Sequence, residues 1–374
     1  VYDILSGQPE NGLFYMTVSG DHLDNFDVLY DPTAQDQILA GKLGYRDNRT
    51  YFDTWTSFQA RSFRNGAQSG RAHFILSDVR IDATIAPDLA MQAVTRAILK
   101  PDSTRARSVV PFNLTPSMKI TSASVDGQPV EVFDRESMRS DLISNREDRQ
   151  FLLVSETALD PSMPHEIEIH HEGAVIHNAG NDVYYVESRG TWYPRTGGEL
   201  AQYDLTFRYP KLLTVAGTGT VSDDRTEGDW RTTRLKTETP VRFAGFNLGN
   251  FQSAMIERNG YQINLYGNRR LESALAPKPL PPTIAMPQDE FPHRRRSSAS
   301  PLSLAPLVIP PDPAPRIETL TKNVIATIDF MTEEFGPTPF RSLAITPIPG
   351  GFGQGFPGLV YLSTLAYLDP GQMP

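Results

Sequence analysis

The chain has 374 residues, room for two or three domains with sizeable cores. Its formal charge of −9 argues against a general nucleic-acid binder, which shows a basic face. Zero cysteines exclude disulfides, thiolate zinc sites and cysteine nucleophiles, and no apolar run approaches the ~20 residues of a membrane span. The chain reads as a soluble protein. It opens at Val1 without a signal-peptide pattern, and periplasmic, extracellular and cytoplasmic locations all fit.

Residues up to about 275 read as β, in short alternating runs separated by turn residues. Phe14-Tyr15-Met16-Thr17-Val18, Tyr51-Phe52-Asp53-Thr54-Trp55 and Ala72-His73-Phe74-Ile75-Leu76 are examples. The run 79–85 and Gln150-Phe151-Leu152-Leu153-Val154 are others. Asp126-Gly127 sits between apolar runs 120–125 and 130–133 and predicts a hairpin. Tyr203-Asp204-Leu205-Thr206-Phe207-Arg208-Tyr209-Pro210 alternates cleanly, and the run 214–221 follows a short turn. Such strands point to sandwiches or a large curved sheet. Residues 1–78 are set apart as an N-terminal β unit of underived function, and residues 79–275 as the main β domain.

Residues 276–315 change character. Twelve prolines fall between 277 and 315, around Arg294-Arg295-Arg296-Ser297-Ser298. That density excludes a helix or a central strand, so a linker or long surface loop is expected, with the arginines solvated. The first helix comes next. Ile317, Leu320, Val324, Ile328, Met331 and Phe335 are three or four residues apart and share one helical face. Pro313 and Pro315 suit its start, Gly336 its C′ position, and Pro337 stops it.

Three constellations invite chemistry. In His165-Glu166-Ile167-Glu168-Ile169-His170-His171-Glu172, a zinc helix would need its second histidine four residues after the first. Here the spacing is five or six, and the alternation of Ile and Glu is that of a strand. His165 and His171 would share a face yet lie roughly 20 Å apart, so no metal is expected there. The glycine-rich stretch 350–358 lacks the lysine of a phosphate loop and runs into an apolar strand. A plain surface loop is one reading of it; a loop whose glycines let another backbone approach closely is the other. No G-x-S-x-G motif supports a nucleophilic triad.

Two stretches then carry a family resemblance. Glu333-Glu334-Phe335-Gly336-Pro337-Thr338-Pro339-Phe340 closes the helix, and Pro349-Gly350-Gly351-Phe352-Gly353-Gln354-Gly355-Phe356-Pro357-Gly358-Leu359-Val360-Tyr361-Leu362-Ser363 follows a short apolar segment. This order resembles the M1 family of zinc aminopeptidases, where F-G-P-x-P ends a helix and a G-x-M-E-N loop runs along the cleft. The His165 strand and Trp192-Tyr193-Pro194 are similar to stretches of the family's β domain. The resemblance implies a mainly β fold: an N-terminal β unit, a saddle-like antiparallel β domain, and the first helix and strands of an incomplete α+β thermolysin-like domain over residues 316–374.

Carried over residue by residue, the family's loop falls on Gly353, Gln354, Gly355 and Phe356, which are the expected substrate-binding residues. The family glutamate that binds the substrate α-amine falls on Gly355, and its asparagine on Phe356. Glu187 stands near the position of a second amine-binding acid and could replace the missing one. The implied cofactor is zinc, held in the family by residues that would lie beyond Pro374. No catalytic residue and no metal ligand is therefore expected within this chain, which should be inactive alone. The implied partner is a peptide, and the last strand, 359–363, is expected to offer a free edge to it. A non-catalytic M1-like scaffold and a β-sandwich binding module are the alternative readings.

Overall fold

The computed structural model describes residues 14–21, 24–30, 36–46, 49–59, 74–101, 106–134, 149–186, 191–197, 200–258, 260–275 and 314–368. Glu187 and most of the proline-rich stretch, residues 276–313, lie outside the described residues.

Four strands come first: β1 (Phe14–Val18), β2 (Phe26–Tyr30), β3 (Asp36–Arg46) and β4 (Arg49–Gln59). They form an antiparallel sheet of their own in the order β1-β2-β3-β4. Next come β5 (Phe74–Ile85), β6 (Met91–Pro101), β7 (Arg107–Leu114), β8 (Met118–Val125) and β9 (Gln128–Pro129). The expected boundary at residue 78 falls inside β5. There a bulge between Ser77 and Arg80, with Asp78 at φ 51°, shifts the buried set from Phe74 and Leu76 to Val79, Ile81, Ala83 and Ile85. An extra residue reverses the face presented by every side chain after it, and the apolar pattern of β5 follows that reversal.

Asp126 and Gly127, both at positive φ, make the β8–β9 turn, as the sequence predicts. The returning chain then leaves that sheet. β10 (Glu131–Phe133) pairs with β11 (Arg149–Leu159) instead of β8, so the apolar run 130–133 is not the hairpin's second strand. β12 (His165–Gly173), β13 (Ile176–Asn178), β14 (Tyr184–Val186), β15 (Tyr203–Pro210) and β16 (Thr214–Gly217) follow, then β17 (Thr220–Glu227), β18 (Trp230–Lys236) and β19 (Phe246–Gly249). The main sheet has eight strands in the order β17-β18-β15-β5-β6-β12-β8-β9. It departs from a purely antiparallel sheet at one seam, where β15 runs parallel to β5. One apolar core spans it, with Trp192, Tyr193, Phe207 and Phe246 fully buried. Trp192 donates to the Ala244 carbonyl at 3.0 Å, satisfying the one polar atom its ring takes into the core.

The C-terminal layer holds β20 (Phe251–Arg258), β21 (Tyr261–Asn268), α1 (Ala314–Phe335), β22 (Ser342–Ile348), β23 (Gln354–Phe356) and β24 (Leu359–Ser363), then a 3-10 turn, Thr364–Tyr367. The sheet order is β20-β21-β22-β24-β23, with β21, β22 and β24 mutually parallel. One face packs on α1 through Leu265, Ile345, Ile317, Leu320 and Tyr367. The other meets the β domain through Ala216, Ala344, Phe356 and Tyr361. Gly336 caps α1 at φ +82°, its N–H bonding the Thr332 carbonyl at 2.9 Å. Ile317 and Leu320 are buried, whereas Met331 and Phe335, on the same predicted face, are exposed.

Candidate substrate cleft

The site is built at the outer edge of the C-terminal sheet. β22 ends at Ile348, and the chain turns through Gly350 at φ +91°. Two hydroxyls from the end of β24 tie down the base of the loop that follows. Ser363 donates to the Gly350 carbonyl, and Thr364 donates to the Ile348 carbonyl at 3.2 Å. The loop's outer residues, Gly351, Phe352 and Gly353, are exposed. The chain then runs back as β23, antiparallel to β24, with Gln354 opposite Tyr361, Gly355 opposite Val360 and Phe356 opposite Leu359.

This corrects one expectation. β24, residues 359–363, is an interior strand between β22 and β23, and the edge is β23. The cause is the Pro357-Gly358 turn, with Gly358 at φ +71°, which folds residues 354–356 back onto β24.

The four loop residues divide by side chain. Gly353 and Gly355 are exposed, and a Cβ added at Gly355 would meet nothing within 4 Å. Gly355 lies opposite Val360, which packs with the α1-side cluster, so a side chain at 355 would project on the α1 side of the edge strand. Gln354 is half-buried. Phe356 is 7% exposed and its ring belongs to the core. It stands 5.1 Å from the Tyr361 ring and 5.6 Å from Phe243, and a Cβ on Gly245 would fall 2.5 Å from it. What Phe356 leaves to the edge is its backbone. Tyr361 anchors this packing by donating its hydroxyl to the Phe246 carbonyl. Tyr185 packs against the same cluster.

Sequence reasoning passed over an acid at this place. Glu272, in the turn after β21, is 2% exposed, and neither carboxylate oxygen has a hydrogen-bond partner. Burial pushes its carboxyl up from the ordinary range. The local signal is slight: an acid among the apolar residues Leu271, Ala274 and Leu275.

The histidine cluster is a strand, as its alternation predicts. His165 contacts the Asp126 carboxylate and the Asp160 carbonyl, His170 contacts Glu168 at 2.7 Å, and His171 contacts the Thr95 hydroxyl at 2.9 Å. Among the described residues no group of three or more His, Asp or Glu could hold a metal ion. No helix among them is long and apolar enough to cross a membrane.

Solved structures share this architecture. An M1 zinc metallopeptidase from Deinococcus radiodurans matches with a TM-score of 0.53 at 10% identity, over 79% of this chain and 61% of that one. The fold is M1-like. A mutant of that metallopeptidase bound to a Tyr-Ser-Ala substrate matches with a TM-score of 0.52 at 11% identity, over 79% and 62%. A two-domain mutant form bound to L-tryptophan matches at 0.51 and 11%, over 79% and 62%. The chain thus spans about three-fifths of these structures, 61% to 62%. No family model and no curated protein matches it. The family implies zinc, and the described residues do not fit that ion: the strand histidines are spread along β12 and engaged with other partners.

Proposed function

We propose that this chain forms one wall of a peptide-binding cleft in a protein built on the M1 metallopeptidase plan. Extended peptide would add to β23 as a further strand, its main chain pairing with the backbone of residues 353–356. The exposed glycines leave that backbone open to close approach. The observation that carries the reading is the edge position of β23 beside an open Gly355, at the place where the resemblance sets the substrate loop.

In the finer reading the full protein is an aminopeptidase-type zinc hydrolase whose metal is supplied outside the described residues. Within this chain, residues 353–356 orient the peptide, and Phe356 holds the edge in place through the core. The absence of a carboxylate at 355 predicts weak discrimination between free and blocked amino termini. Gly355→Glu tests this in the full protein. Because a side chain there meets open space, the new carboxylate can pair with a substrate ammonium through a charge-assisted bond. The ratio of kcat/KM for matched free and N-blocked peptides should rise in favour of the free ones. An unchanged ratio in a folded, active variant would remove this loop from the amine site.

A non-catalytic M1-like scaffold is the second reading. It is favoured by Gly355 and Phe356 standing where the family has its Glu and Asn, with Phe356 committed to packing. Peptide binding at β23 without turnover by the full protein would select it.

A further inference from the structure

We propose that Ser342 is a positioning residue for the cleft edge: through its hydroxyl the β domain sets where the Pro357-Gly358 turn, and with it β23, stands. This role rests on the cleft reading, but its first readout is taken without peptide, so the two can fail separately.

Ser342 is the first residue of β22, and it meets the turn between β16 and β17. Its hydroxyl donates to the Gly219 carbonyl at 3.1 Å and stands 3.2 Å from the Thr220 hydroxyl. A serine hydroxyl has one hydrogen, and the Gly219 carbonyl takes it, so Thr220 is the donor in the second bond. The result is a directed chain across the boundary between the β domain and the C-terminal layer. It runs from the Thr220 hydroxyl through Ser342 Oγ to the Gly219 carbonyl, and each bond polarises the next. The Arg341–Glu238 ion pair spans the same boundary at 3.3 Å, but its side chains are 78% and 42% exposed. Solvent screens such a pair, which leaves the hydroxyl chain as the firmer link.

The turn that makes β23 an edge is seated on this chain. The Ala344 N–H bonds the Gly358 carbonyl at 2.9 Å. A Cβ added at Gly358 would lie 3.4 Å from the Ser342 carbonyl oxygen and 3.9 Å from the Gly219 nitrogen. The neighbouring residue of the same β-domain turn supports β23 from beneath. The Thr218 N–H bonds the Gly245 carbonyl at 2.9 Å, and the Gly245 N–H bonds the Thr218 hydroxyl at 3.1 Å. Gly245 is in turn the floor under the Phe356 ring. Residues 218–220 therefore reach both Phe356 and the Gly358 turn. Packing on Gly245 limits how closely β23 can approach the β domain, and the directional bonds of Ser342 fix the turn beside it.

Amide exchange on the whole chain and titration calorimetry with an extended peptide of mixed sequence test the proposal. In Ser342→Ala, exchange at residues 354–358 should quicken roughly fivefold relative to β6, the size of one lost neutral hydrogen bond. Peptide affinity should weaken by a similar factor. Thr220→Val keeps the side-chain shape and the Ser342–Gly219 bond, and should give a smaller change of the same kind. Ser342→Thr keeps the hydroxyl and should return both readouts to wild type. Wild-type exchange at 354–358 in a folded Ser342→Ala overturns the proposal. Equal quickening at 354–358 and in β6 also overturns it, because that is a general loss of stability. If the alanine variant does not fold, Thr220→Val carries the test, and wild-type exchange there is the contrary result. If wild type binds no peptide, the cleft reading fails, and exchange without peptide still decides for or against Ser342.

Discussion

His165 bonds the Asp126 carboxylate through Nδ1 at 2.7 Å and the Asp160 carbonyl through Nε2 at 3.0 Å. Both partners are acceptors, so the site favours the doubly protonated ring, in which both nitrogens donate. Burial pulls the His165 pKa down, but the bonds to Asp126 and Asp160 outweigh it, and the net shift is upward. For Asp126, burial pushes up while the bonds from His165 and the Glu166 N–H hold the carboxyl below its usual range. The signs follow from linkage. The raised histidine stabilises fully below its unfolded pKa, and this is lost as pH rises through the folded one. The lowered aspartate stabilises above its unfolded pKa, and this is lost as pH falls. The pair should therefore stabilise most between about pH 4 and pH 6.5.

Replacing His165 with alanine removes this clamp between the Asp126-Gly127 turn and the residue-160 turn. Because the Asp126 side chain is 47% exposed, the cost is screened. A loss of about 1–2 kcal/mol at about pH 6 is expected from urea unfolding, shrinking as pH rises through the raised histidine pKa. A loss independent of pH would mean that packing, not the imidazolium, matters.

His171, on the same buried face of β12, should answer to pH in the opposite sense. Burial lowers its pKa to about 4, with His170 adding to the effect, and its Nδ1 has no partner. A depressed pKa gives stability that is present above the unfolded value and is lost as pH falls towards about 4. On this basis acid should cost on the order of 2–3 kcal/mol between about pH 7 and pH 4.5. His171→Leu should flatten that part of the pH–stability curve, whatever it does to stability at neutral pH. An unchanged acid slope would count against a neutral buried ring.

Gly245 and Phe356 test how the edge strand β23 is held. A methyl group at 245 would lie 2.5 Å from the Phe356 ring, backed by Tyr361 and Phe243. Gly245→Ala should cost about 1–3 kcal/mol through overpacking, and exchange at 354–356 should quicken more than in β6. Equal quickening across the chain would show a general loss of stability instead.

The helix α1 and its glycine cap were legible in the sequence because their determinants are local: an i, i+3/i+4 stripe and a residue free to take positive φ. How much of the stripe is covered was not. Periodicity reads alike at Ile317 and Phe335, but only tertiary packing buries the first and leaves the second 76% exposed. The His165 strand was legible from its alternation. At the candidate site the glycines were legible and the geometry was not. Whether β23 or β24 forms the edge depends on the turn at 357–358, and the inward pose of Phe356 depends on Gly245, far away in the chain. Glu272 gave almost no local signal, since its isolation is created by segments brought together in folding. Glu187, the one acid singled out for the amine, lies outside the described residues.

The most direct test of the cleft is a peptide footprint. Amide exchange of the chain should be measured with and without a saturating, extended peptide of mixed sequence. Main-chain pairing at the edge predicts slowed exchange at residues 353–356, while β17, at the edge of the main sheet, stays unchanged. Peptide binding with residues 353–356 unaffected and protection appearing elsewhere would contradict the account.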